Sequence, residues 1–106
     1  MVSLEEFKKL DIRIAKVLEV KDHPNADKLF VLKIDTGEKK KQIVAGIKNF
    51  YKKENLSGKQ IVIIDNLEPV TLRGETSEGM LLAAQSDETI SILIPERTIK
   101  EGSKVK

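Results

Sequence analysis

The chain contains no cysteine and no tryptophan, one histidine, and only three phenylalanines and one tyrosine. Without cysteine it can form no disulfide, offer no thiolate nucleophile and give a metal no sulfur ligand. The lone His23, followed by a proline, is read as part of a turn, and nothing joins it to make a zinc site. With His23 so placed, no histidine remains to activate Ser77. Ser77-Glu-Gly-Met80 is in any case not the strand–nucleophile–helix elbow of a hydrolase. Gly74-x-x-x-x-Gly79 lacks the Lys-Ser/Thr that completes a phosphate-binding loop. No apolar run approaches the roughly 18 residues of a membrane span, and the first residues lack the basic start and apolar centre of a signal peptide. The expectation is a cytoplasmic, non-catalytic protein with no cofactor and no membrane partner. The scarcity of aromatics also bears on nucleic acid. Single-strand binders stack bases on aromatic platforms, which this chain can hardly build. A nucleic-acid ligand would have to be read by backbone and shape, as folded RNA often is.

What is present is a balanced, globular composition. Apolar residues make up 40% of the 106 and charged residues 34%, with a net charge of +2. That length is one domain, 1–106, with a core that is adequate but small. The positive charge is clustered: Lys39, Lys40 and Lys41 are consecutive, and Lys48, Lys52 and Lys53 follow closely.

Ser3-x-x-Glu6 has the form of a capping box for a short helix over about 4–9. Ile12, Ile14, Leu18 and Val20 predict a long strand whose apolar face is interrupted only by Lys16. His23-Pro-Asn-Ala-Asp27 is turn chemistry. Phe30, Leu32 and Ile34 mark a second strand, 35–38 a hairpin turn, and 42–45 a third strand. Ile47, Phe50 and Tyr51 fit a helix over 47–55. Strands are expected at 60–65, 79–84 and 90–94, with Pro95 ending the last. Three strands, a helix and two strands is the order of the OB-fold, a five-stranded Greek-key barrel. The fold class expected is therefore all-β with short helices: an OB-fold barrel with an N-terminal helix and a C-terminal strand extension, about 86–106.

Ile61–Ile64 and Met80–Ala84 are continuous apolar runs, although an antiparallel strand with one wet face should alternate. Either the first helix and the tail cover the outer face, or a second subunit does. The latter is the expectation, with Ile61, Ile63, Leu82, Ile90, Ile92 and Ile94 at a homodimer interface.

Five segments occur in order: Leu10-Asp-Ile-Arg-Ile-Ala-Lys-Val17, His23-Pro-Asn-Ala-Asp-Lys-Leu29, Gln42-Ile-Val-Ala-Gly46, Asn66-Leu-Glu-Pro69, and Leu72-Arg-Gly74 with Ser77-Glu-Gly-Met80. Together they closely resemble the dimeric tRNA-binding domain family, over about residues 7–106. That family includes free-standing structure-specific tRNA-binding proteins, the C-terminal domain of many methionyl-tRNA synthetases and the endothelial monocyte-activating polypeptide. The export-related chaperone CsaA is similar too. The resemblance implies a homodimeric OB-fold that binds tRNA by shape, serves a methionyl-tRNA synthetase catalytic chain or acts freely, and does no amino-acid chemistry. A CsaA-like chaperone for unfolded polypeptides is the alternative.

The candidate tRNA contacts follow from residue chemistry. Arg73 offers a rigid fork of donors suited to phosphate. Gly74 and Gly79 allow close backbone approach. Ser77 can bond a phosphate or a 2′-hydroxyl or cap the turn, Met80 can pack on a sugar or start a core strand, and Asn25 can reach RNA or brace its own turn. Lys28, Lys33, Lys41 and Lys48 complete the set as phosphate contacts. Glu78 is read as a brace for Arg73 or for a backbone amide.

Overall fold

A computed structural model describes residues 1–106. Two one-turn helices, α1 (Leu4–Phe7) and α2 (Lys53–Leu56), accompany nine strands: β1 (Ile12–Asp22), β2 (Phe30–Asp35), β3 (Lys40–Ala45), β4 (Gln60–Ile64), β5 (Val70–Leu72), β6 (Glu75–Ser77), β7 (Met80–Leu81), β8 (Ala83–Ser86) and β9 (Thr89–Ile92). Five of them form one antiparallel sheet in the order β3-β2-β1-β4-β7. The pairs β5–β6 and β8–β9 are separate two-stranded hairpins.

The sheet curls into a nearly closed barrel. Its open seam lies between β3 and the Ser77–Gly79 segment. Glu78 N–H donates to the Gln42 carbonyl at 2.8 Å, Gln42 N–H donates to Glu78 Oε1 at 3.1 Å, and Val44 N–H donates to Ser77 Oγ at 2.9 Å. Two of these three acceptors are side-chain oxygens, so the seam is stitched where a backbone ladder would not reach. Gly79 sits in this stitch because a Cβ there would come within 2.9 Å of the Ile64 carbonyl oxygen.

Long β1 changes face partway along. Ala15 and Val17 point into the main core, while Ile12 and Ile14 belong to a second cluster on the opposite face. A register irregularity between Val17 and Glu19 in the pairing with β2 then shifts the phase by one residue. After it, Val20 packs against the main core and Leu18 is exposed. A single-residue slip flips every following side chain, and a bulge is the ordinary way to make one. Lys16 therefore does not interrupt the core face, as the sequence suggests; it lies exposed among outward-facing residues.

The main core gathers Phe30, Leu32 and Ile34 from β2, Ile43 and Ala45 from β3, Ile61 and Ile63 from β4, Ile47, Leu56 and Ile92. Ile61 and Ile63 are 0% exposed and Ile92 is 7% exposed. These three were expected at a subunit interface, but the monomer's own core takes them, which leaves Leu82, Ile90 and Ile94 nearer the surface. The other face of β4, Val62 and Ile64, joins Ile12 and Ile14 beneath Leu82 and Val105. Val105 belongs to the C-terminal tail. Ile14 N–H donates to the Ser103 carbonyl, and the N–H groups of Gly102 and Val105 donate to the carbonyls of Ile14 and Ile12, at 2.7–2.9 Å. The tail thus runs beside β1 and covers the second apolar face, so a continuous apolar run is satisfied within one chain. Helix α1 buries no residue and takes no part in this.

Three elements differ from the sequence reading. The strand expected over 79–84 is divided at Leu82 into β7, in the barrel sheet, and β8, in a separate hairpin. The expected helix over 47–55 is divided at Lys52, which is extended (φ −93°, ψ 152°), into a turn from Ile47 to Tyr51 and the short α2. Tyr51 is held by tertiary structure instead, its hydroxyl accepting from Ile92 N–H at 3.0 Å. The stretch expected as a loop before Ser77 contains the β5–β6 hairpin.

The tail docks at a close backbone approach. Gly102 has φ +88°, and a Cβ on it would lie 2.6 Å from the Thr36 carbonyl oxygen; Gly58, with φ +85°, has nothing within 4 Å of the same position. Gly58→Ala should cost only the left-handed backbone penalty, about 1 kcal/mol. Gly102→Ala should cost more, about 2–4 kcal/mol, because the tail must also move off β1. Denaturant unfolding of the two variants measures the difference, and faster amide exchange at Ile14 and Val105 in the second alone locates it.

Candidate nucleic-acid interface

The β5–β6 hairpin turns through two residues, Arg73 and Gly74, since Leu72 pairs directly with Glu75. Both have positive φ, 51° and 95°, the geometry of a type I′ turn. Gly74 suits it. Arg73 does not: a non-glycine residue in the left-handed region costs roughly 1–2 kcal/mol, and turn chemistry alone would favour Asn, Asp or Gly there. The strained residue sits at an exposed loop tip and carries a long cationic side chain.

The hairpin tip leans on the loop between β1 and β2. Arg73 Nη1 donates to the Asn25 carbonyl at 3.4 Å, and Asn25 Nδ2 donates to the Arg73 carbonyl at 3.5 Å. Between them lies an open recess of about 450 Å³ lined by Asn25, Ala26, Asp27, Lys28, Leu29 and Arg73. Lys48 borders this region, its N–H donating to the Lys28 carbonyl at 3.4 Å. Lys33 projects from β2 beside a shallow depression formed with Glu19, Lys21, Val31 and Gln42. The Gln42 amide reaches the hairpin, donating to the Thr76 carbonyl at 2.9 Å and to Glu75 Oε1 at 3.3 Å. Asn25, Lys28 and Arg73 thus share one recess, with Lys48 bonded beside it and Lys33 at a separate depression. The ammonium groups of Lys28 and Lys33 and the Arg73 guanidinium form no ion pair within the chain.

Three other candidate residues have different surroundings. Lys41 is only 10% exposed at its side chain, with Nζ 2.8 Å from Asp65 Oδ1 and 2.9 Å from the Asp65 carbonyl oxygen. Its charge is spent inside the protein. Ser77 is buried, with Oγ donating to the Gly79 carbonyl at 2.9 Å while it accepts from Val44 N–H. It closes the barrel seam. Met80 is exposed but lines a separate apolar recess of about 330 Å³ with Val44, Ile47, Leu81, Leu82 and Ile90 among others. Glu78 holds the Gln42 amide, one of the two braces read from the sequence. Two residues escaped the sequence reading. Asp22 neutralises part of the basic surface, 3.3 Å from Lys48 Nζ and 3.0 Å from Lys53 Nζ. His23, read only as a turn residue, is buried and bonded to the hairpin.

Against known families, residues 12–104 match the family described as "Putative tRNA binding domain". The chain belongs to this tRNA-binding domain family. It is 52% identical over 106 residues to a methionine–tRNA ligase of Nanoarchaeum equitans, covering all of this chain and 14% of that protein. A methionine–tRNA ligase of Thermotoga maritima is 49% identical over 104 residues, covering 98% of this chain and 16% of its own. The chain thus spans about one-seventh of the length of these enzymes. Among solved structures, a methionyl-tRNA synthetase-related protein from Pyrococcus horikoshii superposes with a TM-score of 0.94 at 26% identity, covering 100% of this chain and 98% of that one. The chaperone CsaA from Bacillus anthracis superposes with a TM-score of 0.93 at 32% identity, covering 100% and 99%.

The Asp22 carboxylate is held below its ordinary value of 3.8, first by hydrogen bonding to Lys53 and then by Lys48, with desolvation opposing. A lowered folded value means the unfolded chain takes up the proton first as pH falls. The stabilisation is complete above the unfolded value, near 4, and disappears as pH falls through the folded one. Asp22→Asn should therefore melt slightly lower than wild type at neutral pH, a small gap because the pairs are solvated, and the gap should close below about pH 4. Melting temperatures of both proteins across that range check the sign.

Proposed function

We propose that this chain is a non-catalytic module that binds folded tRNA through the surface around Arg73, Asn25, Lys28, Lys33 and Lys48. It would serve methionyl-tRNA synthetase in cis or in trans, or act as a free tRNA-binding protein. The observation that carries the reading is Arg73: an exposed guanidinium without an acid partner, on a strained left-handed backbone, at the edge of an open recess. Phosphate is the ligand that its fork of donors fits best. Family membership supports the choice of tRNA, and the lack of an aromatic platform supports recognition by backbone and shape. The strand order, with the seam closed at β3, supports reading the barrel as an OB-fold of Greek-key connectivity. No three His, Asp or Glu side chains converge in a way that could hold a metal.

Arg73→Ala should weaken tRNA binding by about 1–3 kcal/mol, the worth of charge-assisted hydrogen bonds, and leave the melting temperature nearly unchanged. Wild-type affinity should fall with salt along a log–log slope of roughly −3 to −6, for about five to eight phosphates neutralised. Filter binding with folded and unfolded tRNA at several salt concentrations tests both. Strong discrimination among folded tRNAs of different acceptor identity would sink the reading.

The module is also proposed to act as a homodimer. Tail docking removes the need for a partner over Ile12, Ile14, Val62 and Ile64, so the interface has to lie elsewhere. The β8–β9 hairpin supports one placement. All four β8 residues are exposed, β8 pairs only with β9, and Leu93 and Ile94 beyond it are exposed as well. An unguarded strand edge beside apolar side chains suits a two-fold contact with a second copy. Ile94, 53% exposed, can take a charge without disturbing the monomer's core. Ile94→Asp should give a folded monomer by sedimentation with tRNA affinity reduced about tenfold, as one tRNA could no longer engage two copies. A wild type that is monomeric at micromolar concentration contradicts the dimer.

The second reading, a chaperone, is favoured by one specific observation: the recess lined by Met80 and its apolar neighbours lies on a chain that superposes closely on CsaA. Competition between tRNA and a reduced, unfolded client protein separates the two readings.

A further inference from the structure

His23 lies within the turn between β1 and β2, yet its ring is 5% exposed and bonded at both nitrogens. Nδ1 accepts from Asn25 N–H at 2.9 Å. Nε2 lies 2.8 Å from the carbonyl oxygen of Leu72, the last residue of β5 in the β5–β6 hairpin. The partners fix the proton. A carbonyl can only accept, so Nε2 carries the hydrogen; a backbone amide can only donate, so Nδ1 is bare. Leu72 is the residue immediately before Arg73. The other two bonds joining loop and hairpin, between Arg73 and Asn25, are exposed and long, at 3.4 and 3.5 Å. The short, part-buried bond from His23 is the one that fixes the hairpin against the loop.

We infer that His23 is a positioning residue: as the neutral Nε2–H tautomer it clamps the Leu72 carbonyl and thereby sets Arg73 over the recess it shares with Asn25 and Lys28. One ring does two jobs. Its Nδ1 side shapes the loop, and its Nε2 side ties the loop to the hairpin. Arg73 needs such a clamp because its left-handed backbone is strained and its hairpin has only three residues per strand, too little to hold a conformation by itself. The consequence for RNA affinity rests on the reading of this surface as the tRNA interface. The consequence for the hairpin does not.

Two substitutions separate the two bonds. In His23→Gln the side-chain amide can still donate from the Nε2 position, keeping the tie to Leu72. In His23→Asn the amide oxygen can still accept from Asn25 N–H, as in an ordinary Asx turn, but cannot reach Leu72. His23→Asn should speed amide exchange across Leu72–Glu75 and weaken folded-tRNA binding about tenfold, the loss expected from one hydrogen bond left unmade. His23→Gln should keep both properties close to wild type. In the wild-type protein the single imidazole, labelled with nitrogen-15, should give the spectrum of the neutral Nε2–H tautomer; the opposite tautomer overturns the inference even if neither variant folds. Unchanged hairpin exchange in a folded His23→Asn protein also overturns it, as does equal loss in both variants, which would make the ring only a space-filler. If Arg73→Ala binds tRNA like wild type, the interface reading fails by itself, and the exchange pattern still decides whether His23 holds the hairpin.

Discussion

The structure depends on one strand satisfying more neighbours than a straight strand can. β1 pairs with β4 over its first half and with β2 over its second, and the tail occupies the edge that β2 leaves free. Such a strand has to bend and also change the face it offers the core, and the irregularity at Leu18 does both. Before it, Ala15 and Val17 fill the barrel while Ile12 and Ile14 face the tail; after it, Val20 returns to the core. If Leu18 were instead paired in regular register, Glu19 and Lys21 would face the interior and Val20 would face outward. The seam between β3 and Ser77–Gly79, the placement of the β5–β6 hairpin and the docking of the tail all follow from the curvature that β1 imposes.

That scaffold separates two kinds of lysine that look alike in sequence. Lys40 and Lys41 are adjacent, but strand alternation sends the Lys41 side chain inward to Asp65, where a buried pair needs both partners and added hydrogen bonds to be tolerable. Lys28 and Lys33 stay exposed and unpaired. Lys48 and Lys53 are intermediate, sharing Asp22 at a solvated site where the ion pairs contribute little to stability. A net charge of only +2 is compatible with a polyanion-binding surface because two cations without an ion pair, Lys28 and Arg73, line one recess while several acids are occupied within the fold.

Much of this architecture was legible in the sequence, and the illegible parts share a cause. The capping box at Ser3, the alternation of Phe30, Leu32 and Ile34 and the turn before Glu38 are local signals, and each appears where it was expected. The β5–β6 hairpin gave no such signal, because exposed three-residue strands carry no burial pattern. The helix over 47–55 was suggested by the spacing of Ile47, Phe50 and Tyr51, but tertiary bonding of Tyr51 to β9 overrides it. The roles of Lys41, Ser77 and His23 rest on partners 24, 33 and 49 residues away, which no local pattern reports. Ile61, Ile63 and Ile92 were expected at a dimer interface and lie instead in the monomer's own core, because an apolar run by itself cannot tell a core from an interface. Arg73 with Gly74 was the exception: a cation beside a glycine between polar residues is an unusual way to end a loop, and the structure places the pair in the positive-φ turn of the β5–β6 hairpin.

The central claim is that one surface, assembled from the loop after β1 and the β5–β6 hairpin, receives folded tRNA. It is tested most directly by titrating the nitrogen-15-labelled protein with folded tRNA and mapping the amides that shift. The account predicts perturbations concentrated at Asn25, Lys28, Lys33, Lys48, Arg73 and Gly74, with the apolar recess of Val44, Ile47 and Leu82 unaffected. Perturbations confined to that recess, or none at saturating tRNA, would contradict it.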